Sequence, residues 1–361
     1  MTEPPRTRGR TGATPILSAD SDLQPAQAGF APQEPRLQSQ VKRRHVLDLD
    51  DFSPREIEDV LATTDSMKEV LARQIRKVPT LRGKTIITLF YEPSTRTRAS
   101  FEQAGKVMSA DVINVSASGS SVEKGETLLD TGRTLAAMGV DIIVIRHAMS
   151  GAPYLLARET GAAIINAGDG AHAHPSQALL DLYTIRQHFG RLEGLKVVIV
   201  GDILYSRVAR SNVWGLRRMG ANVVLCGPPT LLPSEPLRAF AMDGGGTLTI
   251  ETDLGTAMRD ADVVMALRIQ KERQDAGLMP SYREYIRYYQ VNEERMKLAR
   301  KDALVMHPGP MNADIEISFA LAHSAQSVIE TQVTNGVAVR MALLYLLSTG
   351  EGAAAGGPSR E

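Results

Sequence analysis

Apolar runs of strand length alternate with amphipathic segments along most of the chain. The runs predict eight strands, four in each half: KTIITLFY, DVINVS, DIIVIR and AAIINA, then KVVIVGD, NVVLCG, DVVMAL and ALVMH. Each run is followed by a segment with the apolar spacing of a helix, and this alternation is typical of parallel sheets covered by helices. We therefore predict an α/β protein with two doubly wound parallel-sheet lobes and an active site in the cleft between them.

The same pattern predicts the domain boundaries. Residues 1–43 and 349–361 have little apolar periodicity, so we expect both segments to be disordered tails. The first lobe is expected to span residues 44–178 and the second residues 179–326. A helix over about residues 327–348 is apolar on more than one face, which indicates that it is buried and returns to the first lobe.

Composition and charge narrow the class of protein. The 361 residues include 41 basic and 41 acidic side chains, and this balance disfavours global electrostatic binding of nucleic acid. No stretch has the apolar length of a membrane span or a secretory signal, so we expect a cytoplasmic protein that does not bind membranes. The single cysteine, Cys226, ends a predicted strand and is interpreted as a buried core residue.

The segment YEPSTRTRASFE, residues 91–102, places many anion-binding groups where a strand becomes a helix. Ser94 would open a helix whose first turn holds Thr95, Arg96 and Thr97. Hydroxyls, a guanidinium and unpaired backbone N–H groups at the positive end of the helix dipole would then meet at one point, as phosphate binding requires. An ordinary helix cap would explain Ser94 but not the number of donors. The nucleotide P-loop and dinucleotide GxGxxG motifs are absent, and we expect no cofactor.

Five segments occur in a characteristic order along the chain: EPSTRTR, SVEKGET, HPSQALLDL, RIQKER and HPGP. Together they resemble the aspartate carbamoyltransferase family over about residues 44–348. The resemblance implies transfer of the carbamoyl group from carbamoyl phosphate to the α-amino group of L-aspartate. The products would be N-carbamoyl-L-aspartate and phosphate, in the synthesis of pyrimidines.

The resemblance also implies which residues form the site. Carbamoyl phosphate would be bound by Ser94, Thr95, Arg96, Thr97, Ser120, Arg146, His174, Gln177, Gly309 and Pro310. Aspartate would be bound by Lys124, Arg207, Arg268 and Gln270. Arg96, Thr97, Arg146 and His174 are the expected catalytic residues, because attack by an amine builds negative charge on the carbamoyl oxygen and such donors stabilise it.

The loop that holds Ser120 and Lys124 carries an implication for assembly. In the family this loop reaches into the active site of the neighbouring subunit, so the resemblance implies a homotrimer with shared sites. The sequence leaves open whether such trimers bind a regulatory chain or a dihydroorotase-like partner.

Three alternative functions fit the sequence less well. A carbamoyltransferase for another amine, such as ornithine, would need anionic groups or a thiol for a cationic side chain, and the Ser-Met-Gly loop and HCLP turn typical of the ornithine family do not occur. A metal-dependent hydrolase could use the His172 and His174 pair, but the remaining histidines do not repeat a ligand pattern. A catalytically silent scaffold is disfavoured by the complete set of ligand groups.

The turn after HPGP departs from many bacterial relatives. Asn312, Ala313 and Asp314 stand where those relatives have Asn-Arg-Gly. We expect this difference to change local contacts of the loop and to leave the chemistry of the site unchanged. Arg98, although it lies beside the predicted phosphate site, receives no substrate role from the resemblance.

Overall fold

The first lobe is built on a sheet of four parallel strands. The computed structural model describes residues 43–116, 126–233, 245–270 and 281–349. The strand order is β2-β1-β3-β4, and every pairing is parallel. The elements of this lobe are α1 (Pro54–Ala72), β1 (Thr85–Phe90), α2 (Thr95–Val107), β2 (Asp111–Ser116), α3 (Leu128–Ala137), β3 (Ile142–His147), α4 (Ala152–Glu159) and β4 (Ala163–Asp169).

The second lobe has a five-stranded parallel sheet in the order β7-β6-β5-β8-β9. Its elements are β5 (Lys196–Val200), α6 (Arg207–Arg218), β6 (Asn222–Cys226), β7 (Leu248–Glu251), α7 (Leu254–Met258), β8 (Val263–Ala266), α8 (Tyr282–Tyr289), α9 (Glu293–Met296), β9 (Leu304–Met306) and α10 (Phe319–Ala322). All eight predicted strands are present, and β7 is an additional one. The predicted fold class, two doubly wound parallel-sheet lobes, is confirmed.

The central strands of both sheets are buried on both faces, as is typical of parallel sheets. Successive residues of a strand point to opposite faces, so Ile86 and Ile87 of β1 enter different apolar clusters, and Val197 and Val198 of β5 do the same. Ile86 and Val197 share one cluster, which therefore runs continuously from the first lobe into the second. Cys226 is fully buried at the end of β6, as predicted.

Two long helices connect the lobes. Helix α5 (Pro175–Phe189) contacts α1 and α6, and the last helix, α11 (Ile329–Thr349), packs against α1, α2 and α5. The predicted boundary between residues 178 and 179 falls inside α5, and the boundaries themselves stay predictions. None of the helices in the described ranges is both long and apolar enough to cross a membrane.

Helix starts in the first lobe follow local capping chemistry. Ser53 begins α1 in a reciprocal capping box with Glu56, and Thr127 begins α3 in the same way with Asp130. Ser94 occupies the equivalent position before α2, but its side chain makes no capping hydrogen bond. The first-turn N–H groups of α2 are therefore left without a side-chain cap, unlike those of α1 and α3.

Candidate active site

A cavity of about 760 Å³ lies where the carboxyl ends of the two sheets face each other. Loops that follow β1, β3, β4, β5, β8 and β9 supply most of its lining, as expected for ligand sites in open α/β sheets. Residues from both lobes line it, so the cavity occupies the cleft that the sequence predicts. Five of the lining residues are arginines and one, Glu92, is acidic, which favours anionic ligands.

The structure brings the predicted site residues of the described ranges together around this cavity. Those that line it are Ser94, Thr95, Arg96, Thr97, Arg146, His174, Gln177, Arg207, Arg268, Gln270, Gly309 and Pro310. Ser120 and Lys124 lie outside the described residues. The individual roles of all these residues stay predictions.

The amino-terminal end of α2 forms the corner of the cavity that the sequence predicts to bind an anion, here called the anion-binding corner. Ser94 precedes the helix and Thr97 is buried in its first turn. The guanidinium of Arg96 lies so close to Gly309 that a Cβ atom there would overlap it. Partial burial, together with the nearby Arg268 cation, lowers the pKa of Arg96 below its ordinary value. Two cations held near each other in this way are suited to an anion of more than one charge.

His174 is held at the start of α5 by contacts from both lobes. Its backbone N–H donates to Oγ of Ser211 on α6 over 2.9 Å, and that hydroxyl donates to Asp48 over 2.8 Å. The side chain of His174 lines the cavity and is 4% exposed. Pro175 follows at the first helical position, where a missing N–H is harmless. The geometry fixes the backbone from which the imidazole projects.

His172, the other histidine of the H-x-H pair, faces a different partner. Its Nδ1 atom lies 3.1 Å from the carboxylate of buried Asp169, and its ring packs edge-on against Tyr154. The Asp169 carboxylate raises the pKa of His172. Asp169 also accepts from the backbone N–H groups of Gly151 and Ala173, so it holds the loop between β4 and α5. Within the described ranges, no three His, Cys, Asp or Glu side chains are grouped to hold a metal ion.

Glu92 joins two of the predicted arginines and was not among the sequence-predicted residues. Its Oε2 atom lies 2.6 Å from Nη2 of Arg207 and 3.1 Å from Nε of Arg146. Nη1 of Arg207 also donates to the carbonyl of Gly170 over 3.2 Å. The signal for Glu92 was its place in EPSTRTR, where one carboxylate precedes a run of cation and hydroxyl groups.

The second lobe presents Arg268 and Gln270 directly after β8. The backbone N–H of Gln270 donates to Oδ2 of Asp202 over 3.1 Å, and Asp202 is fully buried after β5. The other oxygen of Asp202 accepts from the N–H of Tyr205. The carboxylate of Asp202 therefore holds the loops that follow the neighbouring strands β5 and β8. These loops lead to Arg207 and contain Gln270, respectively.

The HPGP turn is held from inside by His307. Its Nδ1 atom accepts from the N–H of Gly309 over 2.8 Å, which leaves Nε2 to donate to Glu316 at 3.3 Å. His307 therefore shapes the turn from within. Asp314 adopts a φ of 63°, a conformation in which glycine is strain-free, and its carboxylate accepts from the N–H of Phe319. Ala313 and Asp314 do not belong to the cavity lining, so the departure from Asn-Arg-Gly affects the loop behind it.

Helix α11 contributes lining residues that sequence reasoning missed. Gln332 and Arg340 both reach the cavity from this helix and are almost fully buried. Burial lowers the pKa of Arg340 to about 10. A signal was available, because Arg340 interrupts the otherwise apolar run VAVRMALLYLLS, and a charged residue on a buried helix requires a reason.

Comparisons with known proteins bear on the same residues. Residues 44–187 match a family model described as the aspartate/ornithine carbamoyltransferase carbamoyl-P binding domain, and residues 193–347 match the Asp/Orn binding domain of the same family. The aspartate carbamoyltransferase catalytic subunit of Roseiflexus sp. (strain RS-1) is 63% identical over 307 residues, which are 85% of this chain and 96% of the relative.

Solved structures agree with the sequence relatives. An ornithine carbamoyltransferase from Pyrococcus furiosus superposes with a TM-score of 0.78 at 31% identity, covering 86% of this chain and 98% of the other. Aspartate transcarbamoylase from Trypanosoma cruzi, in complex with carbamoyl aspartate and phosphate, gives a TM-score of 0.78 at 30% identity over 85% and 96% of the two chains. The family models, the relatives and the shared fold together establish that this chain belongs to the aspartate/ornithine carbamoyltransferase family.

Proposed function

We propose that this protein is an aspartate carbamoyltransferase, which joins carbamoyl phosphate to L-aspartate and releases phosphate. The observation that carries the proposal is one cavity that combines several groups suited to anions. The start of α2 supplies uncapped N–H groups and Arg96, and Arg207 and Arg268 line the same cavity. A substrate pair with a phosphate at one end and two carboxylates at the other matches that distribution.

The division of the site follows the two lobes. The first lobe, residues 44–178 with the helix near the carboxyl end of the chain, would bind carbamoyl phosphate through Ser94, Thr95, Arg96 and Thr97. The second lobe, residues 179–326, would bind aspartate through Arg207, Arg268 and Gln270. Binding in a cleft between lobes excludes water from the reacting groups.

The reaction needs no covalent enzyme intermediate. The amino group of aspartate attacks the carbamoyl carbon, a C–N bond forms, and the bond from that carbon to the phosphate oxygen breaks. The amine proton passes to the departing phosphate. Negative charge develops on the carbamoyl oxygen during attack, and Thr97, Arg146 and His174, which line the cavity, would stabilise it by donating hydrogen bonds. Gln177 and the carbonyls of the Gly309–Pro310 turn would accept from the carbamoyl amino group.

The alternative amine, ornithine, fits the charges of the cavity poorly. Among the described lining residues its side-chain ammonium would meet arginines, since Glu92, the acidic member of that set, is already paired with Arg207 and Arg146. Like charges at short range disfavour binding. Relatives that are 57% to 63% identical carry the name aspartate carbamoyltransferase catalytic subunit, which supports the same choice.

The assembly and setting of the enzyme are part of the proposal. We expect a homotrimer in which Ser120 and Lys124 of one subunit complete the neighbouring site, as the family resemblance implies. A cytoplasmic location and a role in pyrimidine synthesis accompany this activity.

A product assay tests the function directly. The purified full-length protein is incubated with labelled carbamoyl phosphate and a set of amines that includes aspartate and ornithine. Labelled N-carbamoyl-L-aspartate should form, with no citrulline from ornithine. Arg96→Ala should lower turnover by about 10² to 10³. Arg98→Ala, on the same helix but outside the cavity lining, should stay within about threefold of wild type. Product from ornithine alone, or no product with any amine, would refute the proposal.

A further inference from the structure

Asp181 is a fully buried carboxylate that receives side-chain amide donors from three helices. Nε2 of Gln177, one turn earlier on α5, donates to Oδ1 over 3.0 Å, and Nε2 of Gln332 on α11 donates to the same oxygen over 2.8 Å. Nδ2 of Asn212 on α6 donates to Oδ2 over 2.8 Å. The three donors come from both lobes, so Asp181 lies at the centre of a polar junction behind the cavity.

The charge state of Asp181 is set by opposing effects. Burial raises its pKa to about 7, while the three amide donors and the nearby Arg340 cation favour the charged carboxylate. A charged carboxylate has acceptor sites and no donor. Each amide that contacts it must therefore present N–H, and the orientations of these three amides are not interchangeable.

For Gln177 this constraint decides which atom it can offer to a ligand. Gln177 lines the cavity, and its Nε2 group is engaged by Asp181. A primary amide has one carbonyl oxygen and one NH2 group. Because the oxygen cannot face the carboxylate without repulsion, Oε1 turns away from Asp181 and is the acceptor that Gln177 presents.

For the HPGP turn the constraint acts through Gln332. Its Nε2 group is bound to Asp181, and its Oε1 atom accepts from the backbone N–H of His307 over 3.0 Å. His307 in turn accepts from the N–H of Gly309. The turn is therefore connected to Asp181 by continuous hydrogen bonds, and its own N–H groups at 307 and 309 are occupied.

We propose that Asp181 is a positioning residue that orients the acceptors for the carbamoyl amino group, namely Oε1 of Gln177 and the carbonyls of the Gly309–Pro310 turn. This inference rests on the proposed function, since it concerns recognition of carbamoyl phosphate. It assigns to Asp181 the selection of carbamoyl phosphate, an acyl phosphate whose carbonyl carbon bears an NH2 group, over acetyl phosphate, an isosteric acyl phosphate that bears a methyl group there. Groups that require a hydrogen bond partner discriminate strongly against ligands that lack it.

Asp181→Asn is the informative change because it keeps the volume and alters the donor pattern. The NH2 group of the amide introduced at position 181 can donate to Oε1 of Gln177. For this, the Gln177 amide rotates and presents its own NH2 group to the cavity. The carbamoyl amino group would meet a donor in place of an acceptor. Acetyl phosphate, which has no N–H at this position, would be little affected.

The experiment compares two constants for wild type and each variant of the full-length enzyme. One is the KM for carbamoyl phosphate at saturating aspartate, and the other is the Ki of acetyl phosphate as its competitor. Asp181→Asn should raise the KM by at least about tenfold and change the Ki by less than about threefold. Inhibition by inorganic phosphate, measured in parallel, reports that the phosphate corner is intact.

Thr184→Val is the matched control. Thr184 is buried one turn further along α5 and accepts from Asn335 of α11, but it does not line the cavity. Losing this hydrogen bond should lower thermal stability and leave the ratio of Ki to KM unchanged. If Asp181→Asn does not fold, Gln332→Met serves in its place. It removes the hydrogen bonds of Gln332 to Asp181 and to the HPGP turn but keeps the bond between Gln177 and Asp181, and it should raise the KM without raising the Ki.

The possible outcomes distinguish a failure of this inference from a failure of the proposed function. The positioning role would be overturned if Asp181→Asn and Gln332→Met raised the KM and the Ki equally. It would also be overturned if both substitutions left the ratio of Ki to KM unchanged. A wild-type protein that makes no N-carbamoyl-L-aspartate would instead refute the proposed function, and this is seen before any variant is measured.

Discussion

The carboxylate of Glu92 lies 2.6 Å from Nη2 of Arg207, and the two residues belong to different lobes. Glu92 precedes α2, which forms the anion-binding corner of the first lobe, whereas Arg207 begins α6 in the second lobe. Arg207 is 3% exposed, so its charge depends on this partner and on the carbonyl of Gly170. The pair fixes the guanidinium at the place where an aspartate carboxylate would arrive.

Replacing Glu92 by Gln should weaken aspartate binding. The amide keeps the volume but loses the charge that orients Arg207, so we expect kcat/KM for aspartate to fall by at least about tenfold. Steady-state kinetics with varied aspartate measures this. Glu102→Gln is the control. It removes an ion pair between Glu102 and Lys106, both on α2 and outside the cavity lining, and should leave kcat/KM for aspartate unchanged. Equal kinetics for Glu92→Gln and wild type would show that Arg207 is oriented without Glu92.

Gly309→Ala should inactivate the enzyme through Arg96. A Cβ at residue 309 would overlap the Arg96 guanidinium, and the φ of 63° adds backbone strain. We expect kcat to fall by about 100-fold or more, the loss typical of removing one group that stabilises the transition state. Gly83→Ala is the control, because Gly83 also has a positive φ but no atom within 4 Å of the added Cβ. Similar activity losses in both variants would point to backbone strain in place of displaced Arg96.

Asp48→Asn should change how stability depends on pH. Burial raises the pKa of Asp48 to about 6, above its unfolded value of about 4. The folded chain thus holds a proton that the unfolded chain releases, so the stabilisation from this group is complete below about pH 4 and is lost as pH rises through about 6. Asn keeps the acceptor for Ser211 and Leu49 and cannot ionise.

The free energy of unfolding should therefore rise in Asp48→Asn relative to wild type between pH 4 and pH 8, by about 2 to 3 kcal/mol. Urea unfolding followed by the fluorescence of Trp214, the single tryptophan, gives this quantity. Curves that stay parallel across the range would mean that Asp48 has the same pKa in the folded and the unfolded chain, and hence that burial does not raise it.

Mixing two inactive variants tests shared sites. Lys124→Ala and His174→Ala chains, unfolded and refolded together in equal amounts, should regain about a quarter of wild-type activity, because half the His174 sites are intact and half of those meet an intact Lys124. Arg96→Ala mixed with His174→Ala should regain none, since both residues belong to the same subunit's part of the site. Absence of recovery in mixed trimers verified by mass would contradict the shared site.

The sequence predicted the fold well because its signals are local. The eight predicted strands are rich in apolar residues, as buried parallel strands require. The strand β7, Leu248–Glu251, was missed because it is a short edge strand with partly exposed residues that follows a glycine run. Edge strands carry a weaker apolar signal than central ones.

The candidate site was predicted through motifs that follow strands, and its supporting residues were not. The family resemblance implied Arg96, Arg146 and Arg268, and the convergence of the carboxyl ends of parallel strands explains why they line one cavity. The contact of Asp181 with Gln332 joins residues 151 positions apart, and neither residue stands in a loop that follows a strand. Only the packing of helices reveals such pairs.

Helix α11 also bears on when the protein becomes active during its synthesis. It leaves the ribosome after every other described element, yet it supplies Gln332 and Arg340 to the cavity and covers apolar surface on α1, α2 and α5. A nascent chain without it could form both sheets but could not hold the HPGP turn through Gln332. Activity would thus begin only when translation of this helix is complete, and prematurely terminated chains would expose apolar surface without consuming substrate.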